Sequence, residues 1–303
     1  MEWKGLSVVV ATRDRPTLLD GCLDALSKSV GPDDEIIVVD SASSAPGNSA
    51  IADARGVRLI RCSVPGASLA RNVGWRTSRS DWVAFVDDDV LVDPWWADSL
   101  RQSVIAHPEV AFITGRLRLD QSDAGTDRPV AVFDDPEART INPGTFDDMG
   151  HGANLAIRRD ALEAVGGYDE TLGPGTFWTA GEDLELLDRL LAAGFTGRYE
   201  PVASARHLQW RSRKDLYPLE WRYGVGQGAR LALLWRLDRA RFRAVAKRTT
   251  WDLGVVELFV SVRRGWERVA VRALLRLAGT LVGAVGVFLT RLILPRRPIP
   301  SRH

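Results

Sequence analysis

The sequence predicts an α/β fold. A mixed, mostly parallel sheet is flanked by helices, and a basic helical extension follows it. Three observations lead there. Short apolar runs alternate with amphipathic segments over the N-terminal two thirds of the chain. Polar and acidic residues stand at the ends of several of those runs. The C-terminal third then becomes arginine-rich and helical in pattern.

The elements follow in order. Leu6 to Thr12 is a run of β-formers and predicts a buried strand. Pro16 opens a helix to about Ser29, with Leu18, Leu19, Cys22, Leu23 and Leu26 on one face. Glu35 to Asp40 predicts a second buried strand that ends in a carboxylate, and Val57 to Cys62 a third. Gly66 to Thr77 predicts a loop running into a helix. Trp82 to Val86 predicts the fourth strand, and Val110 to Ile113 the start of a fifth. Strands alternating with helices imply right-handed crossovers and a sheet covered on both faces. In such sheets ligands bind at the carboxyl ends of the strands. Thr12, Asp40 and the Asp87-Asp88-Asp89 cluster all fall there.

Residues 119–150 are rich in Asp, Pro and Gly without periodicity, and predict a long loop suited to be a flap. Asn154 to Ile157 predicts a short strand, and a helix follows from about Arg159 to Val165. The turn-rich Gly173-Pro174-Gly175-Thr176 leads into Gly181-Glu182-Asp183. An amphipathic helix then carries Leu184, Leu187, Leu190 and Leu191.

The acidic triplet is the most telling local feature. Adjacent carboxylates repel, and a divalent cation is a cheap compensation. Hard oxygen ligands suit Mg²⁺ or Mn²⁺, whose remaining positions substrate phosphates often fill. The competing reading is a solvated acidic turn at the start of a helix near Asp93-Pro94.

Composition is that of an ordinary globular protein: 303 residues, 45% hydrophobic and 26% charged. Cys22 and Cys62 have no metal-ligand spacing and read as buried thiols. The N-terminus runs straight into a strand with no signal-peptide pattern. The expected location is therefore the cytoplasm, with peripheral contact at the inner membrane face open. The net charge of +1 conceals an asymmetry. Residues 206–303 carry 21 basic and 6 acidic side chains, a net +15, against −14 for the rest. Such a tail seeks an anionic surface. Leu277 to Thr290 is uncharged, with Arg272 and Arg276 before it and Arg291, Arg296 and Arg297 after it. That run is short for a spanning helix, which needs about 20 residues. An interfacial helix on anionic lipid is favoured over a core helix. No nucleic-acid partner is expected.

The order of motifs resembles the family 2 glycosyltransferases with their nucleotide-sugar-binding GT-A fold. The residues that carry the resemblance are Ala11-Thr12-Arg13-Asp14-Arg15, Val39-Asp40-Ser41, Gly66 to Gly74, Phe85 to Asp89, Gly152 to Arg159, Gly166 to Glu170, and Gly181 to Leu186. It covers about residues 6–210, so the expected division is a catalytic domain over 1–214 and a helical basic region over 215–303.

The resemblance implies a set of roles. Thr12 and Arg13 would contact base or phosphate, and Asp40 the base or ribose. Arg71 would lie near the nucleotide, and a guanidinium suits diphosphate charge. Asp87 would face the ribose and Asp89 would ligate the metal, with Asp88 between them and a shifted register open. His207 would complete the metal site. Asp183 would be the general base, Glu182 would orient the acceptor, and Asn154 would line the donor-sugar pocket. Apart from the resemblance, Trp178 in the loop before that base is a candidate to stack on a sugar ring, with a buried core tryptophan as the competing reading. Gln209-Trp210-Arg211 does not match the Gln-X-X-Arg-Trp motif of chain-extending members, which favours single-sugar transfer.

The resulting expectation is an inverting, metal-dependent transfer from a nucleotide-diphosphate sugar, with UDP or dTDP favoured by family habit. The acceptor would be a glycan or lipid-linked hydroxyl. A nucleotidyltransferase or a dinucleotide oxidoreductase fits poorly, because Arg13-Asp14-Arg15-Pro16 stands where a Gly-rich phosphate loop is needed. A non-enzymatic membrane- or nucleic-acid-binding adaptor built on the basic tail is the alternative, but it leaves both acidic clusters idle.

Overall fold

The computed structural model describes residues 5–120, 131–145 and 149–293. Arg291, Arg296 and Arg297, and part of the 119–150 loop, lie outside the side chains it describes.

The strands form one sheet. Those of its N-terminal half are β1 (Leu6–Thr12), β2 (Glu35–Ser41), β3 (Arg58–Cys62) and β4 (Trp82–Asp87). They run parallel in the order β3-β2-β1-β4. The register sets Thr12 beside Asp40 and Ala11 beside Asp87, so the polar strand ends share one edge. Helices α1 (Pro16–Ser27), α2 (Gly47–Arg55) and α3 (Ala67–Thr77) make the crossovers.

Beyond β4 the sheet becomes mixed, so parallel pairing is confined more than the sequence predicts. After the short β5 (Val90–Val92), α4 (Trp96–Ala106) leads to β6 (Phe112–Leu119), β7 (Arg139–Ile141), β8 (Asn154–Arg158) and β9 (Gly197–His207). β8 is antiparallel to β4 and β6, and β9 is parallel to β6 but antiparallel to β5 and β7. Helices α5 (Arg159–Val165) and α6 (Glu182–Ala192) lie between β8 and β9. Two apolar clusters cover the two sheet faces, one built on Val8, Val10, Leu19 and Trp96, the other on Val9, Phe85, Leu155 and Leu187. Alternate residues of β1 thus enter opposite cores, as a doubly covered strand requires.

The helical region comprises α7 (Leu216–Leu237), α8 (Arg239–Ala246), a π-helical stretch (Lys247–Val256), α9 (Glu257–Arg263) and α10 (Glu267–Ile293). α7 and α10 pack backbone to backbone. A Cβ on Gly228 would lie 2.0 Å from the Thr280 carbonyl oxygen, and one on Gly283 2.0 Å from that of Val225. Only glycine permits that approach. The pair also grips the α/β unit. Leu172 and Trp178 join Val225, Ala229, Leu233 and Val287 in a third core. Asp188 on α6 is bracketed by two buried arginines: Arg230 Nε lies 2.6 Å away, and Arg241 Nε also 2.6 Å. Arg241 further donates to the Thr145 carbonyl.

Candidate active site

The three carboxylates at the end of β4 diverge to different sets of partners. Asp87 accepts from Arg71 Nη2 at 2.7 Å. Asp88 accepts from the Thr12 hydroxyl at 2.7 Å and from Arg15 Nη1 at 2.9 Å. Asp89 lies 3.2 Å from His207 Nε2 and accepts from Trp210 Nε1 at 2.6 Å. β5 turns the chain so that Asp89 meets the end of β9, since Val90 pairs with His207. Much of the compensation for adjacent negative charge is therefore internal, supplied by Arg15 and Arg71.

Burial moves these groups in opposite directions. Desolvation pushes Asp88 up to about 7 despite Arg15, with the neighbouring Asp89 charge adding to the rise. Asp89 is also buried, yet hydrogen bonds from His207 and Trp210 hold it well below the usual carboxylate range. Burial works against the charged form of His207, but its bond to Asp89 outweighs this and raises the imidazole.

A second acidic pair opens α6. Glu182 bonds Arg71 Nη1 at 2.9 Å, so this buried arginine bridges Glu182 and Asp87. Tyr168 lies under the same guanidinium, 5.4 Å from its ring centroid. Burial pushes Glu182 up to about 7, with Arg71 opposing and Asp183 adding to the rise. Asp183 accepts from the backbone N–H of Gly152 at 3.0 Å and of Leu184 at 2.8 Å. Desolvation would raise Asp183, but His151 and those two amides outweigh it and the net shift is downward. A Cβ at position 152 would sit 2.4 Å from that of Asp183, so glycine is needed there.

Several expected residues stand differently from the sequence reading. Asn154 does not open into a sugar pocket. It is 1% exposed, donates to the carbonyls of Arg116 and Ala203, and accepts from Trp96 Nε1. It is a brace between strands. Trp178 is buried against α10 rather than free to stack on a sugar. Thr12 and Asp88 are spent on each other. Arg13 is exposed and meets only Asp14 among the described contacts, at 3.7 Å. The arginine of this loop that reaches the carboxylates is Arg15. Asp14 adopts a positive φ of 53° and accepts from the Ser44 backbone, tying the loops after β1 and β2 together. Asp40 is buried and accepts from Ser43 N at 3.1 Å, with Arg61 3.9 Å away.

Arg15, His151, Tyr168 and Trp210 were not assigned from sequence. Trp210 carried one usable signal, its place three residues after His207. Arg15 stacks on its ring at 4.5 Å, which closes the acidic cluster from one side.

The donor set fits a divalent ion in one respect that geometry tests. His207 Nδ1 lies 2.8 Å from the Ala131 carbonyl. Donation there fixes a proton on Nδ1, so Nε2, which hydrogen-bonds Asp89, is the nitrogen that would take a metal on giving up its proton. Among the described residues no cluster of three or more His, Cys, Asp or Glu side chains is arranged to hold a metal. Asp89 and His207 would therefore share the ion with oxygens of a ligand.

Comparison with known proteins agrees with this geometry. The family model for glycosyl transferase family 2 matches residues 7–166, just over half of the chain. The chain belongs to glycosyl transferase family 2. It is 32% identical over 167 residues to a pre-mycofactocin glycosyltransferase of Mycobacterium tuberculosis, covering 50% of this chain and 33% of that relative. The chain thus spans about a third of the length of the relative it matches. Among solved structures it resembles a mannosyltransferase, PcManGT from Pyrobaculum calidifontis, in complex with GDP-Man and Mn²⁺. The TM-score is 0.61 at 17% identity, over 97% of this chain and 83% of the other. It also resembles S. aureus TarS residues 1–349 in complex with UDP-GlcNAc, with a TM-score of 0.55 at 15% identity over 82% and 76%. These likenesses establish a GT-A-type fold with a helical C-terminal extension.

Proposed function

We propose that this chain transfers one sugar, with inversion, from a nucleotide-diphosphate sugar to an acceptor hydroxyl. One observation carries the reading. Asp89 pairs with His207, and two residues before it Asp87 is bridged by Arg71 to Glu182, the neighbour of Asp183, which brings the acidic pair of α6 to the same strand end. Family membership supports the same chemistry.

Asp89 and His207 would hold Mn²⁺ or Mg²⁺. Such an ion, when bound, neutralises charge that develops on the departing diphosphate. Arg71 adds a fixed cation beside that position, and Asp87 orients it. Asp40, Thr12 and Arg13 stand at the edge where the nucleoside would lie. A carboxylate such as Asp40 accepts from the imide N–H of uracil or thymine, and UDP or dTDP is the proposed donor nucleotide.

Asp183 is the proposed base. Its two backbone hydrogen bonds and the helix start keep it ionised before the acceptor arrives. It takes the hydroxyl proton as the new bond to the anomeric carbon forms and the hydroxyl acidifies. Glu182, held by Arg71, orients the acceptor. The proposed division of labour places catalysis in residues 1–214. The basic region from 215 would hold the protein, in the cytoplasm, against an anionic membrane that offers a lipid-linked or cell-envelope glycan.

A thermal-shift panel of UDP, dTDP, GDP and their sugar conjugates, with Mn²⁺ or with chelator, tests the reading. A Mn²⁺-dependent rise with one nucleotide is expected. No rise with any of them would sink the donor-site assignment.

A further inference from the structure

α10 carries two opposed stripes. Ala273, Thr280, Gly283 and Val287 are buried against the protein, and Gly286 approaches the Trp178 ring. Val271, Leu274, Leu281, Val285 and Phe288 recur at helical spacing on the outer side and are exposed, Leu281 at 66% and Phe288 at 50%. A helix on the surface of a water-soluble domain places polar residues there. α9 and the π-helical stretch, both packed against α10, also carry exposed apolar side chains, Trp251, Phe259 and Val262. An exposed apolar surface of this kind marks a partner.

Charge identifies the partner. Residues 239–290 hold ten basic and three acidic side chains. Arg241 is spent on the buried Asp188, and Arg272 and Arg276 on the buried Glu220, which leaves seven basic ones. Arg263 stacks on Phe259 at 4.4 Å, and Arg264 on Trp266 at 5.0 Å. Arginines bordering exposed aromatics suit the headgroup level of an anionic bilayer, where the stem is apolar and the head meets phosphate. Two copies facing each other would bring like charges together, which costs free energy.

Packing decides how the helix meets the lipid. α10 passes the length test for a membrane-spanning helix from Glu267 to Thr290, with 28% of its most apolar window buried. Its inner face, however, is fixed along its length. Arg272 and Arg276 both bond the buried Glu220 of α7 at 2.9 Å, and Gly286 meets Trp178 of the loop before α6. α7 in turn holds Asp188 of α6 through Arg230. A spanning α10 would carry the base-bearing helix into hydrocarbon.

We infer that the outer face of the π-helical stretch, α9 and α10 lies in the plane of an anionic bilayer without crossing it. This orientation leaves α10 and α7 between α6 and the bilayer, so the Glu182-Asp183 end lies two helix layers, roughly 20 Å, from the lipid surface. The inference rests on the membrane contact proposed above and specifies its geometry.

The test uses the full chain and vesicles of phosphatidylcholine with or without phosphatidylglycerol. Flotation with anionic vesicles is expected, and it should fall at least tenfold for the Leu281→Asp, Phe288→Asp double variant. Arg263→Glu with Arg264→Glu should remove the preference for anionic lipid. Circular dichroism checks that the variants fold. Single probes on Leu274→Cys, Leu281→Cys and Leu289→Cys are then read by depth-dependent quenching from brominated lipids. These positions span about 22 Å of helix. One shared shallow depth is expected. A deepest probe at position 281 would mean a spanning helix and overturn the inference while leaving membrane contact intact. Absence of flotation would overturn both, without bearing on nucleotide binding, which the thermal-shift panel reads separately. A dimer by light scattering that Leu281→Asp converts to monomer would assign the face to a second copy instead.

Discussion

His207 presents Nε2 to Asp89 Oδ1 across 3.2 Å, while its other ring nitrogen is bonded to the Ala131 carbonyl. The pair comes from distant parts of the chain and is brought together by β5 pairing with β9. If it is a metal site, each member has a separable effect. Asp89→Ala should abolish the Mn²⁺-dependent thermal shift with nucleotide. His207→Ala should weaken metal affinity by at least the roughly 10–100-fold typical of losing a partner that orients a ligand. A Mn²⁺ titration followed by melting temperature checks both. Unchanged metal dependence in Asp89→Ala would remove the site.

Asp183 makes a different prediction, because it lies apart from the Asp89 cluster and touches Gly152 and Leu184. Asp183→Asn keeps the volume and should spare donor binding. Turnover should fall by roughly 10²–10⁴, the span of a general base. Single-turnover assays with saturating donor measure it, and near-normal turnover would reassign the base.

The parallel half of the sheet was legible because β1, β2 and β4 are largely buried and buried strands read as continuous apolar runs, while the edge strand β3 keeps Arg58 and Arg61 exposed. β5 was missed because three residues directly after an acidic triplet give no periodicity. α2 was missed because Gly47-Asn48-Ser49 follows Ala45-Pro46 and reads as a turn, and its helix is held by packing rather than propensity. The acidic residues of the site were visible as strand ends. Their partners were not, since Arg15 and Trp210 acquire meaning only when β1 and the segment after β9 meet. Asn154 misled for a related reason. A polar residue beside glycines suggests a pocket, whereas its amide is consumed by Arg116, Ala203 and Trp96. The glycines of α7 and α10 look like helix breakers singly and become a packing surface only as a pair.

Arg71 is a buried cation shared by Asp87 and Glu182. Its removal leaves Glu182 buried without its cation, beside the partly exposed Asp87. Arg71→Met should destabilise the fold by about 3–5 kcal/mol. Adding Glu182→Gln should restore part of that loss, because one orphaned charge is gone. Urea titrations of the two single variants and the double variant give the coupling. Strict additivity would mean that the bridge carries no energy.

The clamp on Asp188 joins the C-terminal helices to the catalytic helix. Arg241→Met removes one of two arginines and also frees the Thr145 carbonyl. Lower turnover is expected with little change in donor KM, since α6 carries the proposed base, Asp183, while the proposed nucleotide contacts lie at the strand ends. Arg241→Lys should rescue only part of it, because an ammonium cannot span Asp188, Thr145 and Met149 together. An equal loss in donor affinity would point to general unfolding of the site.

Stability should depend on pH in a direction opposite to that of a protein held by salt-bridged carboxylates. Glu182 and Asp88 are each raised to about 7 by burial, so in the folded state both keep protons that the unfolded chain releases at lower pH. His207 is raised as well, and its contribution is likewise largest at low pH. Where the native state binds more protons, stability falls as pH rises. Asp89 and Asp183 are lowered, so their contribution is lost only when pH drops below the ordinary carboxylate range. The ligand-free protein should therefore melt a few degrees higher at pH 6 than at pH 8, at about 1 kcal/mol per raised carboxyl group. Glu182→Gln and Asp88→Asn should each flatten that slope, and each should be at least as stable as the parent at pH 8. Melting curves across this range in chelator decide the matter. A parent protein that gains stability from pH 6 to pH 8 would show that Arg71 and Arg15 keep both carboxylates ionised throughout.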